Sequence, residues 1–216
     1  MPKFKITIEY DGTNFVGWQK QENGYSIQSE IERAIYQLSQ EDVVLFGAGR
    51  TDAGVHALGQ VAHFNLKKNI KLENIRDGLN QHLRPRPIVI LKAEKVNEDF
   101  HARFKAKKRT YKYIISNRRP PLALDKNRSW EVFKKLDINN MILEANFFLG
   151  KHNLEAFRSI NCQSKSAVKS IDQIEILKKK ESIIVTISAK SFLHSQIRIM
   201  VGTLVEIGKG KIKKSI

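Results

Sequence analysis

Apolar and polar residues alternate strictly at the start of the chain, and this pattern constrains the fold most. From Lys3 to Tyr10 every second residue is apolar, and the residues between are charged or hydroxylated. A period of two is typical of a β-strand with one buried face. Apolar residues then recur every three or four positions from Ile27 to Leu38, which predicts a helix that Ser26 caps, with Glu30 at its positive end. The chain therefore begins with a strand followed by a helix.

The same two patterns continue to the end of the sequence. Two successive halves of mixed strands and helices, joined by short loops, predict an α+β protein on one largely antiparallel sheet with helices packed on one face. The sequence Arg118-Arg119-Pro120-Pro121 is the predicted boundary, between an N-terminal half of residues 1–117 and a C-terminal half of residues 118–216. The further predicted strands are 43–46, 60–65, 88–96, 109–115, 168–177 and 183–188, and the further helices are 72–83, 138–149 and 193–207.

The charge balance indicates a polyanionic partner. The 216 residues include 38 Lys and Arg against 22 Asp and Glu, a formal net charge of +16. Such an excess destabilises a compact chain by self-repulsion, so a polyanionic partner or surface is expected. RNA, DNA and an anionic membrane surface all fit this charge. A hydrophobic content of 41% is too high for a disordered basic tail, so the chain is expected to fold.

Several classes of protein are excluded by what the sequence lacks. No apolar run approaches the roughly 18 residues that a membrane-spanning helix needs, and the alternating N-terminus has no signal-peptide core. Cys162 is the only cysteine, which excludes internal disulfides and predicts a reducing, cytoplasmic compartment. The histidines lack the paired spacing of a zinc helix, and no Gly-Lys-Ser/Thr sequence follows the glycines before Arg50. Neither a metal site nor a nucleotide-binding loop is predicted.

One nonapeptide between two predicted strands carries the chemistry. It reads Gly49-Arg50-Thr51-Asp52-Ala53-Gly54-Val55-His56-Ala57 and places the Asp52 carboxylate between two glycines and close to Arg50. One interpretation is a turn in which Asp52 binds its own backbone, which is the commoner role of Asp in a glycine-rich loop. The other is an ionised carboxylate kept reactive by the neighbouring guanidinium, as a nucleophile or general base requires.

The nonapeptide resembles the catalytic loop of the tRNA pseudouridine synthase A family. Further blocks resemble other motifs of the same family, in the same order along the chain. Together they extend the resemblance from residue 4 to about residue 211. The blocks are Ile8–Gln19, Phe100–Phe104, Arg109–Tyr113, His152–Arg158 and Ser191–Gly202.

The resemblance implies a fold, a reaction and partners. It implies a pseudouridine-synthase-like central sheet built from two ferredoxin-like halves. It also implies that uridine is isomerised to pseudouridine at positions 38, 39 and 40 of the tRNA anticodon stem-loop, without a cofactor. In that reaction Asp52 would be the nucleophile or base that starts cleavage of the bond between ribose C1′ and uracil N1. The expected partners are tRNA and, since family members act as homodimers, a second copy of the chain.

The resemblance extends to three supporting residues of the active site. Arg50 and Arg198 match two family arginines, which would keep Asp52 ionised or hold its geometry. Tyr111 matches the active-site tyrosine, whose ring would stack on an extruded uracil. By pattern alone, Tyr111 is equally well a core residue of its strand, and Arg198 is more typical of a solvated helix face.

Four residues are possible RNA contacts. The position of Trp18 in the family motif suggests a contact with RNA. The aromatic residues near it in the sequence also suit a packing role for Trp18. Lys107, Lys108 and Arg109 precede or begin the predicted strand of Tyr111 and would hold the RNA backbone, because helical RNA is read by shape and phosphate. Each of these cations taken singly is typical of a solvated surface.

Two departures from the family pattern leave an alternative open. Asn153 stands where the family usually has Asp, and the chain stops at Ile216, where family members usually continue through a further loop and strand. We therefore expect a shortened C-terminal half. The alternative function is a non-catalytic or impaired tRNA-binding relative. The presence of Arg50, Asp52 and Tyr111 favours the enzyme, because an inactive relative would be free to lose them.

Overall fold

The chain forms two compact units, Met1–Ala106 and Lys107–Ile216. The computed structural model describes residues 1–22, 24–160 and 162–212. Each unit combines helices with a sheet of its own, which confirms the predicted α+β class. Residues 107–117, which the sequence assigned to the N-terminal half, lie in the second unit. The halves 1–117 and 118–216 stay a prediction about how the chain is organised.

The first unit is an antiparallel sheet that carries two helices. The sheet has the strand order β2-β3-β1-β4. The apolar side of β1 packs in one core with the buried faces of both helices. The predicted strand at the N-terminus and the helix before Pro85 are confirmed to the residue. The elements are β1 (Lys3–Tyr10), α1 (Ile27–Ser39), β2 (Phe46–Gly47), β3 (Ala57–Asn65), α2 (Leu72–Leu83) and β4 (Ile88–Val96).

Helix α1 begins where the sequence predicted it. The Ser26 hydroxyl accepts a hydrogen bond from the Ser29 backbone amide at 3.1 Å, so the cap is confirmed. Glu30 lies in the first turn, as predicted. Its side chain is 5% exposed, and its carboxylate lies 2.8 Å from Arg33 and 3.2 Å from Arg86. The buried charge is thus compensated by two guanidinium groups.

The second unit is a five-stranded sheet with two helices. Its strand order is β6-β5-β9-β8-β7, and every pair is antiparallel except β5 and β6, which are parallel. The buried faces of both helices pack with the sheet in a second core. The elements are β5 (Arg109–Ser116), β6 (Trp130–Glu131), α3 (Ile138–Ala145), β7 (Gly150–Asn153), β8 (Val168–Lys179), β9 (Ser182–Ala189) and α4 (Gln196–Gly208).

Several predicted bounds differ from the structure. Strand β3 begins at Ala57, three residues before the predicted start at Gln60. The strand predicted at 43–46 is wrong for its first three residues. The Leu45 amide donates a hydrogen bond to the Glu32 carboxylate at 2.9 Å and not to a neighbouring strand. The helix predicted to reach Leu149 ends at Ala145 and tightens into a 3₁₀ turn. Helix α4 begins at Gln196 and not at Leu193, because Ser195 has a φ of +60°.

In the part of the chain that the structure describes, no helix has both the length and the apolar character needed to cross a membrane.

Candidate active site

The loop that carries Asp52 connects β2 to β3. The first residues of this loop are hydrogen-bonded to β3. The Ala48 amide donates to the Val61 carbonyl at 2.7 Å, which extends the strand pairing by one step. The Gln60 side-chain amide donates to the Gly49 carbonyl at 2.6 Å. These two bonds hold the entry of the loop against the strand that it later joins.

The segment from Tyr10 to Trp18, which we call the cradle, holds the loop from its other side. The Tyr10 hydroxyl lies 2.8 Å from Thr51 Oγ1, and the Trp18 amide donates to the Thr51 carbonyl at 3.0 Å. Further along, the Gly12 amide donates to His56 Nδ1 at 3.1 Å. The residue before Asp52 is therefore fixed through both its side chain and its backbone.

Two glycines let the cradle approach the loop at backbone distance. A Cβ placed on Gly12 would lie 2.1 Å from the Val55 carbonyl oxygen, and one on Gly17 would lie 2.6 Å from the Thr51 oxygen. Gly17 also has a φ of +114°, in the region that L residues rarely adopt. The close packing thus requires glycine at both positions.

Asp52 itself is half-buried, and Arg50 two residues before it is exposed. The Asp52 carbonyl accepts a hydrogen bond from the Val55 amide at 3.2 Å, so a turn follows the aspartate. That turn uses the backbone carbonyl of Asp52. A carboxylate on a fixed loop that is neither fully buried nor fully exposed suits chemistry on a bound substrate.

An aspartate and a histidine order the junction between cradle and loop. His56 Nδ1 lies 3.1 Å from the Asp11 carboxylate. The same carboxylate oxygen accepts from the Thr13 amide at 3.0 Å and from the Thr13 hydroxyl at 2.5 Å. The Asp-Gly-Thr turn after β1 is thereby stabilised at the point where His56 contacts it.

No role was predicted from the sequence for Gly12, Gly17, Asp11 or His56. All but His56 lie in the block Ile8–Gln19, which resembles the family's first loop. The sequence signal was present in the Asp-Gly-Thr-Asn break after a strongly alternating strand. Their contacts join residues about forty positions apart, so local pattern alone does not reveal them.

Trp18 packs inside the first unit. Its side chain is buried, its ring centroid lies 6.2 Å from that of Tyr10, and it covers Gly47, where a Cβ would lie 2.6 Å from the indole. This placement supports the packing role for Trp18 over a contact with RNA.

The other predicted site residues belong to the second unit. Tyr111 lies on β5 opposite Ile187, half-buried, and its ring meets Phe192 edge-on with centroids 5.2 Å apart. Arg198 is exposed in the first turn of α4. Lys107 and Lys108 are exposed, and the guanidinium of Arg109 donates to the Lys190 carbonyl. Arg109 therefore contributes to the structure of its own unit.

No group of three or more His, Cys, Asp or Glu residues is arranged to hold a metal ion, within the residues that the structure describes.

Comparison with known proteins identifies the family. A family model described as tRNA pseudouridine synthase matches residues 6–105 and 145–216, which include the loop of Asp52 and the helix of Arg198 but not Tyr111. A protein named tRNA pseudouridine synthase A from Wolbachia pipientis wMel is 53% identical over 210 residues, which cover 97% of this chain and 86% of the relative. The protein of the same name from Maricaulis maris is 49% identical over 98% of this chain and 85% of its own length. The resemblance inferred from the motifs is confirmed, and the chain belongs to the tRNA pseudouridine synthase family, whose members are isomerases that convert uridine to pseudouridine.

Proposed function

We propose that this chain isomerises uridine to pseudouridine in tRNA, at positions 38, 39 and 40 of the anticodon stem-loop, with Asp52 as the nucleophile and without a cofactor. The observation that carries the proposal is the fixed, half-buried placement of Asp52 on a loop held from both sides, in a chain of this family. The substrate positions and the nucleophilic role follow from the resemblance of the nonapeptide to the family's catalytic loop.

The proposed reaction conserves the atoms of the nucleotide. The bond between ribose C1′ and uracil N1 breaks, the uracil turns, and a bond forms between C1′ and C5. The proton lost from C5 goes to solvent or a base, and N1 gains a proton, so no oxidant or reductant is needed. Asp52 attacks in its ionised form, and a fixed loop reduces the entropy lost on reaching the reactive geometry.

Arg50, Arg198 and Tyr111 are proposed as supporting residues. A guanidinium near a carboxylate favours the charged form, which is the role proposed for Arg50 and Arg198. Arg198 stands at the positive end of α4, where the helix dipole does not favour a cation, so a role outside helix stability is consistent with its position. Tyr111 would stack on the extruded uracil.

The net charge supports tRNA as the partner. An excess of 16 positive charges suits a substrate held through its phosphates, and exposed Lys107 and Lys108 are proposed contacts. We also propose that the chain acts as a cytoplasmic homodimer, and sedimentation of the purified chain gives the molecular mass that tests the dimer.

Release of tritium tests the reaction directly. The full chain is incubated with an unmodified tRNA transcript that carries tritium at uracil C5, and isomerisation releases this tritium to water. Transcripts in which positions 38, 39 and 40 are replaced one at a time by cytidine show which uridines react. A wild-type chain that binds the transcript but releases no tritium contradicts the proposal and favours the non-catalytic tRNA-binding alternative.

Asp52→Ala is expected to lower the rate of release by at least about a thousand-fold, because the reacting group is lost. Affinity for the transcript is expected to stay within a few fold of wild type, as measured by filter binding. Asp42→Ala, which removes another carboxylate from the exposed surface of the same unit, serves as the matched control and should react normally. Loss of binding in Asp52→Ala would assign the residue a structural role.

A further inference from the structure

Three aromatic rings lie in contact on the first unit, and two of them are exposed while the third, His101, is half-buried. The ring of His101 lies between those of Phe46 and Phe104, with centroid distances of 5.5 Å and 4.3 Å. Phe104 is 73% exposed and Phe46 is 45% exposed. We call this surface the aromatic platform. A single exposed phenylalanine is ordinary, whereas two exposed phenylalanine rings that are joined through a third ring are not.

The platform is held rigidly from below. His63, buried on β3, stacks against Phe46 at 5.1 Å and accepts a hydrogen bond from the Ala102 amide at 3.2 Å. The backbone of the turn is closed by a bond from the Lys105 amide to the His101 carbonyl at 2.9 Å. A surface that is already ordered loses little conformational entropy when a ligand stacks on it.

Charge around the platform is positive. The guanidinium of Arg103 lies 5.9 Å from the Phe104 ring centroid. Arg103 and Lys105 are exposed cations of the same turn, and Lys105 Nζ lies 2.7 Å from the Asp99 carboxylate. Exposed aromatic rings beside cations are the arrangement that binds single-stranded nucleic acids, since each base offers a ring face and each nucleotide a phosphate.

We propose that Phe46, His101 and Phe104 form a stacking platform for an unpaired base of an RNA ligand. This proposal rests on the proposed function in naming RNA as the partner, and it adds a binding surface that the reaction itself does not require. The base stacks on the Phe104 and His101 rings, and Arg103 contacts the phosphate of that nucleotide. The platform thereby holds a nucleotide other than the one that is isomerised.

Phe104→Leu tests the stacking, because leucine keeps an apolar side chain but removes the ring. The probe is a short fluorescein-labelled oligouridylate, titrated by fluorescence anisotropy against the full chain. Loss of one stacked base is expected to weaken binding by about five-fold to a hundred-fold, the range for aromatic substitution in such sites. Phe104→Tyr, which keeps the ring, should bind within about two-fold of wild type. Phe133→Leu, a 56% exposed phenylalanine of the second unit, is the matched control and should bind normally.

The dependence of the affinity on salt separates stacking from charge. Stacking releases no counterion, so Phe104→Leu should keep the wild-type slope of log Kd against log salt. Arg103→Gln should reduce that slope by about 0.7, as expected when one contact to a single-stranded phosphate is lost. A slope that changes in Phe104→Leu, or an unchanged affinity in that variant, overturns the platform.

A measurement on the wild-type chain supports the variants. Oligouridylate that carries 5-bromouridine is photocrosslinked to the full chain, and the crosslinked peptide is mapped by mass spectrometry. Crosslinks at residues 101–104 are expected, and crosslinks confined to other segments overturn the proposal. If Phe104→Leu changes the sedimentation mass and leaves RNA affinity intact, the surface is a protein interface and the proposal is wrong. Tritium release by the same samples reports separately on the proposed function, so the two can fail independently.

Discussion

The two units place their proposed site residues in different ways. Asp52 lies on an irregular loop whose position is set by the cradle, through bonds to Thr51 and His56. Arg198 lies on a regular helix and Tyr111 on a regular strand. In both elements the backbone hydrogen bonds of the element itself fix the backbone conformation. The geometry of Asp52 therefore depends on residues about forty positions away in the sequence. Substitutions at those distant residues should therefore act on catalysis, whereas substitutions in α4 at positions other than Arg198 should act mainly on local stability.

Gly17→Ala is expected to have the largest effect on stability. The methyl group would lie 2.6 Å from the Thr51 carbonyl oxygen, and the φ of +114° disfavours any Cβ. Together the overpacking and the backbone strain are expected to cost about 3 kcal/mol, measured by urea denaturation. Tritium release should fall as well, since Thr51 precedes Asp52 and would be displaced.

Gly54→Ala separates the two causes. Gly54 lies in the same loop with a φ of +76°, but a Cβ there would meet no atom within 4 Å. Only the backbone term applies, so the expected loss is about 1 kcal/mol. Equal losses of stability in Gly17→Ala and Gly54→Ala would show that close packing against the cradle does not fix the loop. The position of Asp52 would then not depend on the cradle.

Sequence patterns predicted the regular elements well and the connections poorly. Strands β1 and β4 and helix α2 agree to the residue, because strict periods and Pro85 mark their ends. Strand β7 was missed, because four residues that begin with a glycine carry too little pattern. It pairs with β8, whose neighbours are set by tertiary packing and not by local propensity.

The candidate site was predicted in part for a similar reason. Asp52 and Arg198 were predicted through motifs, which record residue types and their order, and their roles stay predictions. The motif did not reveal that Trp18 would be buried against Gly47, because burial depends on which segments meet in space. The requirement for glycine at position 17 likewise follows from a backbone approach that the sequence does not display.

Acid is expected to weaken the first unit through His63. Burial, reinforced by the nearby charges of His101 and Lys3, lowers the pKa of His63 from 6.5 to about 4. His63 Nδ1 also accepts a hydrogen bond from the Ala102 amide, which requires that this nitrogen is unprotonated. Since the unfolded chain binds the proton first, stability is full above a pH of about 6.5 and is lost as the pH falls towards about 4. The loss is expected to reach up to about 3 kcal/mol.

The fluorescence of Trp18, which is buried in the first unit, reports this loss in a Trp130→Phe background. His63→Gln should flatten the dependence of the unfolding free energy on pH between about 4 and 6.5. His82→Gln, which removes a histidine from the last turn of α2, should leave the slope intact. A slope that persists in His63→Gln would assign the acid sensitivity to other groups. Because β3 pairs with β2, from which the loop of Asp52 departs, tritium release should decline over the same range.

Gly202→Ala should have a small effect of the opposite sign, a gain in stability. Gly202 lies inside α4, one turn after Arg198, and a Cβ there would meet no atom within 4 Å. Because alanine loses less backbone entropy than glycine in a helix, the variant is expected to be about 1 kcal/mol more stable. Gly208→Ala, in the same helix, is the control: its Cβ would lie 2.7 Å from Met141 Sδ, so a loss is expected.

The two α4 variants test whether the conformation of α4 is fixed by its own backbone hydrogen bonds. If the conformation of α4 is fixed by its own backbone hydrogen bonds, Gly202→Ala raises the urea midpoint without changing the dependence of the unfolding free energy on urea. The rate of tritium release at saturating tRNA then stays near wild type. A destabilised Gly202→Ala would show that α4 is constrained from outside, as the loop of Asp52 is by the cradle. A stabilised variant with a raised KM for tRNA would mean that the missing side chain at position 202 leaves space for the substrate beside Arg198. In that case α4 is fixed locally but is shaped for RNA on the face that carries Arg198.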